Sequence, residues 1–289
     1  MGKIFKHLDK PLLIISILLF IFGLIMVFSA SNVIAYMSHE VSAYYYFIRQ
    51  GVFLLAGFFM FLVMINFSTK SYGFVSWFLL IVFSISLVVL LAIIKPKNQA
   101  QSWFEIGPIS IQPSEFIKVI VIIWLSCFYD KHQKQLNKYS TSLFPICVCV
   151  GIAFLIFLQP DLGTMIIFVC IVAAIFFAVP ISKEIKVKTT FAALGFMLFA
   201  FVAFASSGKT LLQERQQERL KFTNPCADLL DSGNQVCNSY IAINKGGLTG
   251  AGLGNSTQKY LYLPEPYTDF IYAVVVEELG LVAGILLLI

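Results

Sequence analysis

Charge is what this sequence has least of. Asp, Glu, Lys and Arg make up 12% of its 289 residues, against 59% hydrophobic residues and a mean hydropathy of +0.87. A soluble domain carries about twice that share of charge, so the balance excludes one and makes lipid the solvent. Histidine is scarcer still: His7, His39 and His132 all fall in or near terminal or loop positions, which argues against a histidine-based triad or a histidine-rich metal site. No cysteines have metal-ligand spacing and no phosphate loop of the Walker kind occurs. The net charge of +5 comes without any nucleic-acid-binding motif. Cys127, Cys147, Cys149 and Cys170 lie in apolar runs, where a small buried thiol is the default. Cys226 and Cys237 share one polar loop, where a disulfide and two reduced thiols both stay open as alternatives.

Apolar runs are abundant. They fall near 11–31, 47–67, 73–94, 114–129, 142–158, 163–180, 189–206 and 269–289, each close to the roughly 17–25 residues that a bilayer core demands, the fourth to sixth slightly short. The expectation is an all-α polytopic membrane protein with eight transmembrane helices. The first run is too long for the apolar part of a cleavable signal and seven more follow it, so it reads as a retained helix. Counting crossings, Lys3, Lys6 and Lys10, then Lys70, then Lys131, Lys134 and Lys138, then Lys183, Lys186 and Lys188 fall on one side. The excess of lysine marks that side, and the N-terminus with it, as cytoplasmic. The opposite side receives the segment from Lys95 to Pro113, the Gln159-Pro160-Asp161 turn and a long loop over 207–268.

Several polar residues stand at the outer helix ends. Arg49, at the entrance of the second helix, either snorkels to the interface or binds an anion. In QSWFEIGPISIQPSEFIK (101–118), Trp103 and Phe104 suit an interfacial anchor, Gly107-Pro108 turns the chain and Pro113-Ser114 opens a helix. Glu115 and Lys118 lie one turn apart, placed to pair with each other or to point into an outward-facing cavity. Asp161 sits in a tight turn, where turn chemistry is the ordinary explanation. The long loop brings Arg215, Arg219, Lys221, Lys245 and Lys259. Glu277 and Glu278 fall inside the eighth apolar run and need partners or a polar cavity there. In QKYLYLPEPYTDFIYAVVVEELG (258–280), Pro264 and Pro266 are expected to hold the approach extended, with a helix starting at Thr268 and Asp269 in its first turn. The helix dipole favours the ionised form of such a carboxylate and apolar surroundings disfavour it, while a capping role alone would account for Thr268 and Asp269.

Taken together, PSEFIK at 113–118, QPDLGT at 159–164, GLGNSTQKYLYLPEPYTDFIYA at 252–273 and EELG at 277–280 resemble the SEDS family of bacterial membrane proteins, over nearly the whole chain. The GLGNS and QK steps are nearer to its division-type and sporulation members than to its elongation members. The resemblance implies a ten-helix fold, of which residues 1–289 hold eight helices as a single transmembrane domain truncated at its C-terminus. It also implies a peptidoglycan glycosyltransferase that polymerises lipid II into glycan strands at the outer face of the cytoplasmic membrane during cell division. A class B penicillin-binding protein and other divisome membrane proteins are the implied partners, and nucleic acid is not. Asp269 matches the family's essential acidic residue, Trp103 its loop tryptophan, Glu115 and Lys118 its paired charges and Asp161 the aspartate of its QPD step. Departures are Ser102 where a basic residue is usual, Asn234 within the loop's GYQ step, Asn238-Ser239 for QS, Ala251 for a basic residue and Tyr267 where His is frequent.

The chemistry so implied has Asp269 as the base that takes a proton from the sugar 4-hydroxyl of one lipid II. That oxygen attacks the anomeric carbon of the growing chain with inversion and expels a polyprenyl pyrophosphate. Arg49, Lys118, Arg215 and Arg219 are the candidate cations for the leaving group, with Glu277 in support. A divalent cation could share that charge, though no ligand cluster identifies one. Two other readings are a lipid II flippase or transporter working through Glu115, Lys118, Glu277 and Glu278, and a non-catalytic division scaffold. The halves of the chain show no inverted repeat with broken helices at matching positions, which weighs against transport.

Overall fold

The computed structural model describes residues 9–37, 41–93, 102–106, 109–159, 161–206, 226, 233–260 and 262–289. Among them are nine α-helices. They are α1 (Lys10–Met37), α2 (Tyr45–Asn66), α3 (Tyr72–Ile93), α4 (Pro113–Lys131), α5 (Tyr139–Leu158), α6 (Leu162–Ala178), α7 (Lys183–Ser206), α8 (Gly233–Gly246) and α9 (Ile271–Leu288). All except α8 coincide with the eight apolar runs. By length and composition α1, α2, α3, α5 and α9 can each cross a membrane, and the seventeen-residue α6 is also apolar. The chain is a multi-pass membrane protein. Before α4 lies a short antiparallel hairpin, β1 (Phe104–Ile106) with β2 (Ile109–Ile111), in the register Phe104 to Ile111. Gly107 and Pro108, expected to turn the chain there, lie outside the described residues.

The chain divides into two compact units, Met1–Asn66 with Thr210–Ile289, and Phe67–Lys209. In the second unit α3 packs along α4, and α4 in turn on α6. Its core is a plain apolar stripe at helical spacing: Leu80 and Leu87, then Ile117, Val121, Trp124 and Leu125, then Cys149, Ile152 and Ile156, then Phe168, Val172 and Phe176. Gln159, fully buried at the end of α5, donates through Nε2 to the Leu87 carbonyl at 3.2 Å.

In the first unit α1 packs along α2, and α8 along α9. Helix α8 was not expected. Its fourteen residues are too polar for a span, yet Gly233, Cys237, Ala242 and Gly246 are buried, and such small side chains let two helices approach closely. The open question about Cys226 and Cys237 resolves as a disulfide that ties the preceding chain to this helix.

Helix α9 is broken at Gly280, whose φ of 87° and ψ of 166° are not helical. In an unbroken helix Leu281 N–H and Val282 N–H would donate to the carbonyls of Glu277 and Glu278. Here those two carbonyls accept instead from Ala251 N–H and Gly252 N–H, both at 2.9 Å, and the two freed N–H groups donate to Gly247 and Leu248 carbonyls at 2.9 and 3.4 Å. The loop after α8 thus replaces one step of the helix ladder. Glycine is required for this contact: a Cβ on Gly246, Gly250 or Gly280 would lie 2.1–2.3 Å from a backbone carbonyl oxygen.

Candidate functional site

Just beyond the helix break, the segment from Gly254 to Lys259 lies over two buried carboxylates. Glu277 accepts from Ser256 Oγ, from Thr257 N–H at 2.9 Å and Thr257 Oγ1 at 3.0 Å, and from Gln258 N–H at 3.3 Å. Glu278 accepts from Ser29 Oγ at 2.8 Å and pairs with Lys259 Nζ at 2.9 Å, both charged side chains being essentially inaccessible. The same ammonium donates to the Gly254 carbonyl at 2.7 Å and to Ser29 Oγ at 3.3 Å. Two carboxylates in an apolar run would be costly alone, and a lysine, two hydroxyl side chains from the loop, one from α1 and several backbone N–H groups satisfy them here. Glu277 therefore anchors the loop. Lys259, Glu278, Ser29 and Ser256 were not singled out from the sequence as one cluster. The signal was an EE pair inside an apolar run, which requires a cation, and a lysine in the glycine-rich loop upstream.

That anchored loop leads to the turn bearing Asp269, and here the geometry corrects the expectation. The chain from Glu265 to Phe270 is a run of turns, not an extended approach, and α9 starts at Ile271 after an Ncap Phe270 that has no side-chain cap. Asp269 therefore precedes the helix. Pro266 bars the right-handed helical region for Glu265. Glu265 takes a left-handed φ of 50°, and the chain folds back so that Thr268 N–H donates to the Glu265 carbonyl at 3.2 Å. With the turn closed by Thr268, the Asp269 carboxylate is exposed and makes no hydrogen bond or ion pair among the described residues.

A cavity of about 410 Å³ opens beside this turn, lined by Tyr46, Arg49, Gln50 and Phe53 of α2 together with Tyr267 and Thr268. Arg49 is half-buried, its guanidinium 5.9 Å from the Phe53 ring centroid. The Tyr46 and Tyr267 rings pack with centroids 4.3 Å apart. Burial, then a hydrogen bond with Tyr46 and the nearby Glu265 carboxylate, hold the Tyr267 hydroxyl well above the usual tyrosine range, so it stays protonated. The structure thus brings Arg49 to the turn that carries Asp269. Among the described residues no three His, Cys, Asp or Glu side chains converge to hold a metal ion.

The remaining expected residues belong to the second unit. Trp103 stands exposed immediately before β1, and the neighbouring Ser102 donates to the Gln159 carbonyl at 3.3 Å. Pro113 opens α4 as expected, and Lys118 pairs with Glu115 across one turn at 2.8 Å, with Glu115 half exposed. Asp161 is the Ncap of α6: it accepts from Thr164 N–H at 3.1 Å and from Gln112 Nε2 at 2.7 Å, which ties the hairpin segment to the start of α6. Arg215 and Arg219 lie outside the described residues.

A family model described as "Cell cycle protein" (FTSW_RODA_SPOVE) matches residues 10–289. The chain is 36% identical over 283 residues to the probable peptidoglycan glycosyltransferase FtsW of Bacillus subtilis, covering 96% of this chain and 70% of that protein. It is 37% identical to stage V sporulation protein E of the same organism, covering 97% and 75%. The probable peptidoglycan glycosyltransferase FtsW of Coxiella burnetii is 34% identical, with 97% and 74% covered. A solved chain from work on "Structural coordination of polymerization and crosslinking by a peptidoglycan synthase complex" superimposes with a TM-score of 0.60 at 20% identity, over 93% of this chain and 73% of its own. The fold, the motifs at its helix ends and these matches agree: the chain belongs to the FtsW/RodA/SpoVE family of cell cycle proteins, the SEDS family.

Proposed function

We propose that this protein is a peptidoglycan glycosyltransferase that polymerises lipid II at the outer face of the cytoplasmic membrane during cell division, with its N-terminus in the cytoplasm. What supports the activity is identity of a third or more, along nearly the whole chain, to relatives that carry that name. What supports the site is one local arrangement: an exposed carboxylate, Asp269, on a turn that shares a cavity wall with Arg49.

Asp269 takes the proton from the acceptor's sugar 4-hydroxyl as its oxygen attacks the anomeric carbon of the growing strand. A carboxylate not engaged by neighbouring side chains is available for that transfer. A single displacement inverts the anomeric centre and releases polyprenyl pyrophosphate, whose charge calls for cations such as Arg49. Lys118, Arg215 and Arg219 are further candidates. Tyr267, held protonated, is a hydrogen-bond donor on the same cavity wall. Asp161, Glu115 and Trp103 act in support, Asp161 by fixing the start of α6. The partner is a class B penicillin-binding protein that crosslinks the strands, within an assembly of other divisome membrane proteins. A transport reading draws nothing from the break in α9, because the backbone groups freed there are taken up by the protein's own loop.

The deciding experiment replaces Asp269 by Asn in the protein reconstituted with its penicillin-binding partner and supplied with fluorescent lipid II. Since Asp269 caps nothing, the change removes a base and little else. Polymer formation should fall by about 10²–10⁴-fold with insertion and partner binding intact. Near-normal polymer would reject Asp269 as the base.

A further inference from the structure

At the lysine-bearing end of the second unit a cavity of about 520 Å³ lies between the start of α3, the end of α4 and α5. That volume is within the range of about 300–1,000 Å³ usual for small-molecule sites. Its walls are aromatic and its mouth is cationic. Trp77 and Trp124 stack with centroids 5.5 Å apart, and Phe128 packs against Phe144 at 5.8 Å and His132 at 4.4 Å. Lys70 and Lys131 line the opening with His132, whose Nδ1 is held by the Phe128 carbonyl at 2.8 Å. Among the described residues neither lysine forms an ion pair, and no carboxylate lines the cavity. The nearest acid in sequence, Asp130, accepts from Gln133 Nε2 at 2.7 Å.

Nothing in the glycosyl-transfer chemistry uses this cavity. A slot with apolar walls and, at its rim, two ammonium groups that form no ion pair among the described residues complements one kind of molecule, an acyl chain that ends in a phosphate. We propose that this cavity is a binding site for an anionic glycerophospholipid, with its acyl chain against Trp77, Trp124 and Phe74 and its phosphate between Lys70 and Lys131. The positive-inside pattern assigns these lysines to the cytoplasmic leaflet.

The two tryptophans make the site its own reporter. The protein is reconstituted in phosphatidylcholine vesicles containing a minor share of lipid brominated in its acyl chains, either phosphatidylglycerol or phosphatidylcholine, and tryptophan fluorescence is followed. Brominated phosphatidylglycerol should quench with a roughly tenfold apparent preference, as two surface lysines can supply. The preference should vanish in Lys70→Gln/Lys131→Gln and in Trp77→Phe/Trp124→Phe. It should persist in Lys134→Gln/Lys138→Gln, which removes equal charge from the same end without touching the cavity. Equal quenching by the two lipids overturns the proposal, as does an equal loss in both lysine double variants, because general surface charge would then explain the preference. Polyprenyl phosphate displacing brominated phosphatidylglycerol at a lower mole fraction than phosphatidylglycerol itself does would overturn the assignment to a glycerophospholipid.

Discussion

The two units are built from the same kind of helix and held by different means. In the second unit the buried polar side chains among the described residues are all neutral: Ser76, Ser102, Gln112, Ser114, Ser142, Gln159 and Thr164, set around an aliphatic and aromatic core. In the first unit Lys259, Glu277 and Glu278 are all buried, and a loop exchanges backbone hydrogen bonds with a broken helix. Lipid is as apolar as leucine, so apolar packing in a membrane earns only complementarity and leaves small slippages inexpensive. A buried charge pair with matched carbonyls has one satisfactory arrangement. The unit that carries Asp269 is the one fixed in this more specific way.

The contrast is sharpest at Lys259. Replacing it by Met leaves Glu278 buried and uncompensated, which should destabilise the protein by about 3–5 kcal/mol, measured as thermal unfolding in detergent. Lys259→Met combined with Glu278→Gln should recover much of that loss. A single variant as stable as the parent would mean that the pair is not formed. Next in size is Gly280→Ala. A side chain there meets the Leu248 carbonyl and cannot easily adopt the left-handed φ, so roughly 2–4 kcal/mol should be lost, and an unaltered melting temperature would show that the loop does not enter the helix. In the second unit Ile156→Val, at a fully buried position, should cost about 0.5–1.5 kcal/mol, and a value as large as that for Lys259 would erase the distinction between the units. The smallest effect belongs to Glu115→Gln. Its pair with Lys118 is half exposed on the acid side, so the coupling in a double-mutant cycle should be only about 0.3–0.5 kcal/mol, well below what a dry ion pair would give.

The spans were legible because a bilayer imposes length and hydrophobicity on each helix by itself. The run expected at 73–94 is α3 at Tyr72–Ile93, and the run at 163–180 is α6 at Leu162–Ala178. Helix α8 was hidden because its stability comes from a narrow stripe of small residues against α9, and no isolated window of GNQVCNSYIAINKG reveals what it packs on. The position of Asp269 was legible only in part. Proline rules correctly barred helix before Pro266, but they do not choose between an extended and a left-handed residue, and the hydrogen bond from Thr268 back to Glu265 makes that choice. The pairing of Asp161 with Thr164 and Gln112 half followed from its place in a turn, whereas the partner from the hairpin is a tertiary contact.

The exchange at Gly280 also bears on how the protein is made. The segment 247–252 leaves the ribosome before α9, so it must wait near the membrane surface with two carbonyls and two amides destined for a helix not yet synthesised. When α9 arrives, those loop groups can be buried only against a break in it, since each orphaned group in hydrocarbon would cost several kcal/mol. Docking of the glycine loop is therefore what holds α9 broken at Gly280, and the turn that carries Asp269, lying between them in the chain, is drawn into place by the same closure.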